Sequence, residues 1–439
     1  PNRFTFSVLI AGLCKAGRLG EAVECYNQML ERHCVPNLRD INLLLASLCQ
    51  AGTMDQAMAI FRGIQCSPSV ITLNILINGF CELQLLDKAL ELFHEMEKNF
   101  ALVPEATTYT AIIKCYCKMD RLDQARQLLE ESSCCSSDVI AITSVARGFC
   151  KAQRVDEAYQ LLLDMVEKKS AKPDIVAWNV IIHGFCKAGR VREAYEMLET
   201  LVSMGCVPNA VTYTTLIDGF CKSGNLSEAL QLFKVLSSRD HHAEPNVVTF
   251  NALISGLCKA DRLEHAFELV KQMKARDLRA DTFTYTTLMD GLCKQGRTSE
   301  VSRVFEEMLR EGCNPSVVTY TTLVHAHCKA GSLQDAQQVI RSMVAKGIPP
   351  DVTTYTVLLE GLFENGKVRT ATEFFEKILR ERCPPCAVVY SALVRGCCKA
   401  ALVDEAVKYY VEMLDRRLAP DPATCKLLVE MLCKRGRTD

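Results

Sequence analysis

The chain has 439 residues, too many for one ordinary core, yet no shift in composition divides it into two or three compact domains. Lys and Arg number 51 against 52 Asp and Glu, which speaks against wholesale attraction to a polyanion and leaves any basic surface local. No run of about 20 apolar residues occurs, so no segment has the length and character of a membrane-spanning helix.

Taken in order, the chain is a succession of similar units. They run 3–37, 38–69, 70–105, 106–138, 139–174, 175–209, 210–246, 247–281, 282–316, 317–351, 352–386 and 387–421, followed by a partial unit at 422–439. Seven of the twelve complete units are 35 residues long, and the others vary only after their second helix. The phrase Val211-Thr-Tyr-Thr-Thr-Leu-Ile-Asp-Gly-Phe-Cys-Lys222 returns in close form at 248–259, 283–294 and 318–329. A fixed period of this size marks a solenoid or array. The opening Pro1-Asn2 matches the end of a unit, and no signal or transit peptide is visible. The chain is therefore expected to be a segment of a longer protein, with exposed solenoid ends that invite self-association.

Within the unit 210–246, Tyr213, Leu216, Ile217, Phe220 and Cys221 fall on one face of a helix. Thr212 is expected to cap that helix, and Thr fills its slot in nine of thirteen units, with Asp40 as an equivalent. Ser223-Gly224-Asn225 reverses the chain. A second helix then carries Leu226, Ala229, Leu232, Phe233 and Leu236 on one side, and Ala recurs at the Ala229 slot, where two helices must approach closely. Pro245 and its counterparts close the unit. The expected fold is all-α: a right-handed superhelical α-solenoid of helix-turn-helix repeats, held mainly by nearest-neighbour contacts.

Twelve of the 24 cysteines recur at the period inside the apolar pattern and read as buried hydrophobes rather than as disulfides. Cys383-Pro-Pro-Cys386 has no matching second pair, His325 and His327 point to different helix faces, and Cys134-Cys135 reads as an oxidisable loop pair. No phosphate loop or catalytic triad recurs, so neither a cofactor nor a catalytic site is expected.

Two slots vary within a small alphabet. The residue after the aromatic, here called the reading slot, is Ser7, Asn42, Asn74, Thr110, Thr143, Asn179, Thr214, Asn251, Thr286, Thr321, Thr356 and Ser391. The last residue of each unit, the closing slot, is Asn37, Ser69, Glu105, Asp138, Asp174, Asn209, Asn246, Asp281, Ser316, Asp351, Cys386 and Asp421. Helix starts and turns favour these residue types in any case. Hydroxyl, amide and carboxylate also present different donor and acceptor patterns, which is what reading base edges requires. A third column places Lys15, Lys118, Lys151, Lys187, Lys222, Lys259, Lys294, Lys329 and Lys399 at the end of the first helix. The helix dipole accounts for a lysine there, and so does contact with one phosphate per unit.

Tetratricopeptide repeats, which are protein-binding scaffolds, have a 34-residue period and a Trp-x-x-Leu-Gly start. The Tyr-Thr-Thr-Leu-Ile-x-Gly start and closing Cys-Lys found here instead resemble the pentatricopeptide repeat family, in its plain type of 35-residue units, over essentially the whole chain. The resemblance implies a plant organellar factor, in mitochondrion or chloroplast, that binds single-stranded RNA, one nucleotide per repeat. It implies that the reading and closing slots of a unit act as a pair: Thr with Asn for A, Thr with Asp for G, Asn with Asp for U, Asn with Ser for C. The expected site is 5'-ACNGGYAURGRG-3'. It further implies that the residue before the Thr slot sandwiches each base: Phe4, Arg39, Ile71, Thr107, Ile140, Val176, Val211, Val248, Phe283, Val318, Thr353 and Val388. The alternatives are a protein-binding scaffold and, more remotely, a hydrolase.

Overall fold

The structure, a computed structural model, describes residues 2–64, 67–132, 138–167, 172–238, 243–380 and 386–434. The pair Cys134-Cys135 and Cys383 lie outside the described residues. Among the described residues twenty-five helices follow one another and no strand occurs. Each first helix starts on the first residue of its unit and is 13 residues long, as in Arg3–Lys15, Val247–Lys259 and Ala387–Lys399. The chain forms two compact units, Pro1–Gly219 and Phe220–Asp439, and each is an α-solenoid. Within each, first helices pack against those of the adjacent repeats and against their own second helices.

The recurring small residues explain that packing. Ala22, Ala57, Ala89, Ala229, Ala266 and Ala336 are all fully buried, so the two helices of a hairpin meet where no larger side chain fits. The glycine of the Gly-x-Cys-Lys ending seats the next repeat on the preceding cysteine. A Cβ added to Gly256 would lie 2.6 Å from Cys221 Sγ, and one added to Gly184 would lie 2.5 Å from Cys150 Sγ. Burial pushes the Cys258 and Cys328 thiols up to about 12, so these cysteines are packing residues in chemistry as well as in place. Cys433, in the helix Pro422–Lys434, is exposed.

Hairpin turns are closed by a left-handed residue, Gly189 at φ 79° in one repeat and Gln153 at φ 64° in the one before. Beside these turns, Arg154 reaches Asp123 of the preceding repeat at 2.7 Å and Glu157 of its own at 2.5 Å, stacked over Phe149. Arg190 and Arg297 repeat the two ion pairs, and Arg190 also stacks over Phe185. At this exposure solvent screens the pairs and each adds little to stability.

Candidate nucleic-acid interface

The second, fifth, ninth and thirteenth residues of every first helix lie along one stripe, because steps of three and four return to the same face. The sandwich column is its outermost line. All twelve of its members are exposed, from 48 % at Val176 to 76 % at Phe4 among the large apolar ones. Residues that merely stapled the helix start would be buried against it. Nine of the twelve are instead exposed Val, Ile or Phe, and Arg39, Thr107 and Thr353 interrupt the column.

The closing slot is where the structure corrects the sequence reading. Thr212 does not cap its helix; it is the third helical residue, and Asn209 is the cap, its Oδ1 accepting from Thr212 N–H at 3.1 Å. Ser69, Asn246, Asp281 and Ser316 cap in the same way, each forming a capping box with the Thr three residues on. The preference for Asn, Asp and Ser at this slot thus has a folding cause. The threonine's hydroxyl turns to a second task, tying the closing slot to the reading slot of the same repeat.

In repeat 8, Thr284 Oγ1 lies 2.6 Å from Asn251 Oδ1 and 2.9 Å from Asp281 Oδ1, and Asn251 Nδ2 donates to Asp281 Oδ1 at 3.1 Å. Repeat 6 has the same triangle, with Asn179 Nδ2 donating to Asn209 Oδ1 at 3.4 Å and Thr212 Oγ1 to Asn179 Oδ1 at 2.7 Å. Thr110 donates directly to Asp138 at 2.9 Å. Asn42 with Ser69, Thr286 with Ser316, and Thr321 with Asp351 meet through Thr72, Thr319 and Thr354. Ser7 donates to Asp40, the stand-in for that threonine, whose own N–H is capped by Asn37. Asn74 is held by Thr108 at 2.6 Å and by the sandwich residue Thr107 at 3.1 Å, whereas Glu105 is joined to Thr108 through its backbone N–H. Thr143 with Asp174 and Thr356 with Cys386 are not joined by a hydrogen bond; Ala177 and Val389 occupy the linking slot there, and these pairs also lack the direct bond that Thr110 makes past Ala141.

Capping fixes which atom points outward. The side chains of Asp174, Asp281 and Asp351 accept hydrogen bonds through Oδ1, and their Oδ2 has no protein donor among the described residues. Asn209 and Asn246 must likewise turn Oδ1 to the N–H, which leaves Nδ2 facing out. The atom left over is an acceptor at Asp174, Asp281 and Asp351 and a donor at Asn209 and Asn246, whereas both oxygens of Asp138 are engaged, Oδ1 by Ile140 N–H and Oδ2 by Thr110.

Lys15, Lys118, Lys151, Lys187, Lys222, Lys259, Lys294, Lys329 and Lys399 are all exposed at the thirteenth place. They are not equivalent. Lys118 is paired with Glu82 at 2.7 Å and Lys294 with Asp290 at 2.6 Å, while Lys329 donates to the Cys293 carbonyl at 3.3 Å. In the first unit a 540 Å³ hollow brings these columns together: Ile140 and Val176, Thr143 and Asp174, and Lys118 and Lys151 line one space. Lys114 and Arg147 line it too, from the ninth place, which sequence reasoning passed over. Their spacing of four from the reading slot was the available signal. His325, at the same place in repeat 10, is held below its ordinary pKa by burial and then by Lys329. Among the described residues no group of His, Cys, Asp or Glu is arranged to hold a metal ion, and no helix is long and apolar enough to cross a membrane.

The model of the PPR repeat family matches residues 1–39, 173–222, 245–294, 280–329, 315–364, 350–399 and 385–434. Models of the single PPR repeat match 64–97, 100–131, 141–170 and 211–241. The chain belongs to the pentatricopeptide repeat family. None of the curated proteins compared matches it. Among solved structures, the pentatricopeptide repeat protein PPR10 from maize is 21 % identical, with a TM-score of 0.56 over 100 % of this chain and 72 % of that one, which shows the shared solenoid fold. PPR10 in complex with an 18-nt psaJ RNA element is 18 % identical, with a TM-score of 0.43 over 99 % of this chain and 82 % of that one. Yeast Rmd9p in complex with 16nt target RNA is 12 % identical, with a TM-score of 0.41 over 94 % and 97 %.

Proposed function

We propose that the chain binds single-stranded RNA by sequence, one nucleotide per repeat, and acts by occupying its target rather than by catalysis. The observation that carries this reading is the outward atom of the closing slot. An outward carboxylate oxygen accepts from the imino N–H of guanine or uracil, whereas an outward amide donates to the ring nitrogen of adenine or cytosine. The neighbouring reading slot then separates purine from pyrimidine, Thr leaving room that Asn fills. The exposed Val, Ile and Phe column supplies flat apolar contacts between bases, and the lysines track the phosphates.

With the polarity of the family, repeats 1 to 12 read 5'-ACNGGYAURGRG-3' by residue type. Such a protein stabilises, processes, or assists the splicing or translation of a transcript by standing on it. An address in mitochondrion or chloroplast rests on the family resemblance. In a gel-shift titration the 12-mer binds at least tenfold more tightly than a scrambled one of equal composition. Equal binding of the two, or binding to neither, removes RNA reading and leaves a protein-binding scaffold as the account of the groove.

A further inference from the structure

Repeat 12 departs from its neighbours in the atom that matters most. Asp421 caps its helix through Oδ1, which accepts from Thr424 N–H at 2.6 Å, as the other aspartates do. Its Oδ2, however, accepts from Arg395 Nη1 at 2.9 Å, where Asp174, Asp281 and Asp351 have no protein donor among the described residues and Asp138 Oδ2 accepts from the reading-slot hydroxyl of its own repeat, Thr110. Arg395 stands at the ninth place of the same repeat, four residues after Ser391, and its other nitrogen donates to Glu360 of repeat 11 at 3.0 Å. The guanidinium is therefore held from both sides and is only 25 % exposed.

The chemistry of the two donors is the same. Guanine's N1–H and N2–H belong to a guanidine fragment built into the ring, and they approach a carboxylate as an arginine does. We infer that Arg395 is an internal occupant of the guanine-reading carboxylate of repeat 12, so that this repeat carries the residue types for G and yet does not discriminate. The inference rests on the RNA-reading function proposed above. It makes Arg395 a specificity-determining residue that acts by withholding Asp421. The lowered pKa of Asp421, caused by hydrogen bonding to Thr424 first and by Arg395 after it, agrees with a carboxylate kept charged and engaged.

The test uses the full chain and four 12-mers that differ only at nucleotide twelve, with a second set that differs only at nucleotide ten. Nucleotide ten falls to Thr321 and Asp351, whose Oδ2 has no protein donor. For the unaltered protein the expected result is roughly tenfold preference for G at nucleotide ten and near equality of the four bases at nucleotide twelve. Arg395→Met removes the guanidinium while keeping an apolar stem, and G preference of similar size then emerges at twelve. Asp421→Asn, which still caps, leaves the unaltered indifference at twelve unchanged, whereas a carboxylate already reading G would turn to A. The inference is overturned if the unaltered protein prefers G at both places, or if Arg395→Met leaves the four bases equal at twelve while ten discriminates. Equality at ten as well removes the RNA-reading function, and the inference falls with it.

Discussion

Asn251 and Asp281 are 30 residues apart in the chain, yet Asn251 Nδ2 donates to Asp281 Oδ1 at 3.1 Å. The contact joins a side chain in the middle of one helix to the cap of the next, and Thr284 clasps both. Because Asp281 keeps its cap whatever stands opposite, the reading residue is exchangeable without loss of the helix start. Asn251→Thr is expected to move the preference at nucleotide eight from U to G while the melting temperature shifts little. A variant that melts normally and still prefers U would show that Asn251 does not set base size.

Thr284 is expected to matter for stability more than for the choice of base. Thr284→Val keeps the shape and removes the hydroxyl that bonds Asn251 and Asp281. Losing that buried link costs about 1–3 kcal/mol, readable in urea titration. A loss under about 0.5 kcal/mol would mean that the capping box adds little to a helix already held by its neighbours.

Gly256 tests the seating of one repeat on the next. Gly256→Ala forces a methyl against Cys221 and Leu226, where the added Cβ would come within 2.6 Å of sulfur. Overpacking of this kind costs about 1–3 kcal/mol despite the better helix propensity of alanine. A stabilised variant would show that the stack yields at this joint.

The cysteine column predicts a pattern of reactivity. With iodoacetamide at pH 8, Cys433 is labelled quickly, while Cys258 and Cys328, buried and raised to about 12, are labelled only as the chain opens. Mass spectrometry of labelled peptides reads the order directly. Equal rates for the three would contradict the packing described.

The lysines divide by salt dependence. Replacing Lys151, Lys187 and Lys259 together by Ala is expected to lower the slope of log affinity against log salt by about 2, at roughly 0.7 per phosphate contact. Lys118→Ala should change it less, since its charge is already answered by Glu82 at 2.7 Å. An unchanged slope in the triple variant would place these lysines off the phosphate path.

Periodicity made the scaffold legible. Tyr213, Leu216, Ile217 and Phe220 are buried where helical spacing puts them, and Gly224 takes φ 81° at the turn. The helix start was misread by three residues because Asn209, Thr212 and Thr214 are all able to accept from a backbone N–H, and type alone cannot rank them. Only the hydrogen bonds separate cap from clasp. Arg395 was opaque for a different reason. The ninth place holds Lys114, Arg147, Asp290 and Glu360 in other repeats and looks like ordinary surface variety until the hairpin brings Arg395 against Asp421.

The double duty of the closing residue sets the terms on which this array can be rewritten. Ten of its twelve members are Asn, Asp or Ser, short side chains that accept from an amide and differ only at the atom left over, with Glu105 and Cys386 as the exceptions. Exchanging Asn246 for Asp is expected, on the proposed function, to retune one letter of the target while the helix cap is kept. Cys386 marks the edge of that freedom, for its side chain makes no capping hydrogen bond. Moves to residues outside the set surrender a helix terminus together with a base, so new specificities are best reached by steps that never leave it.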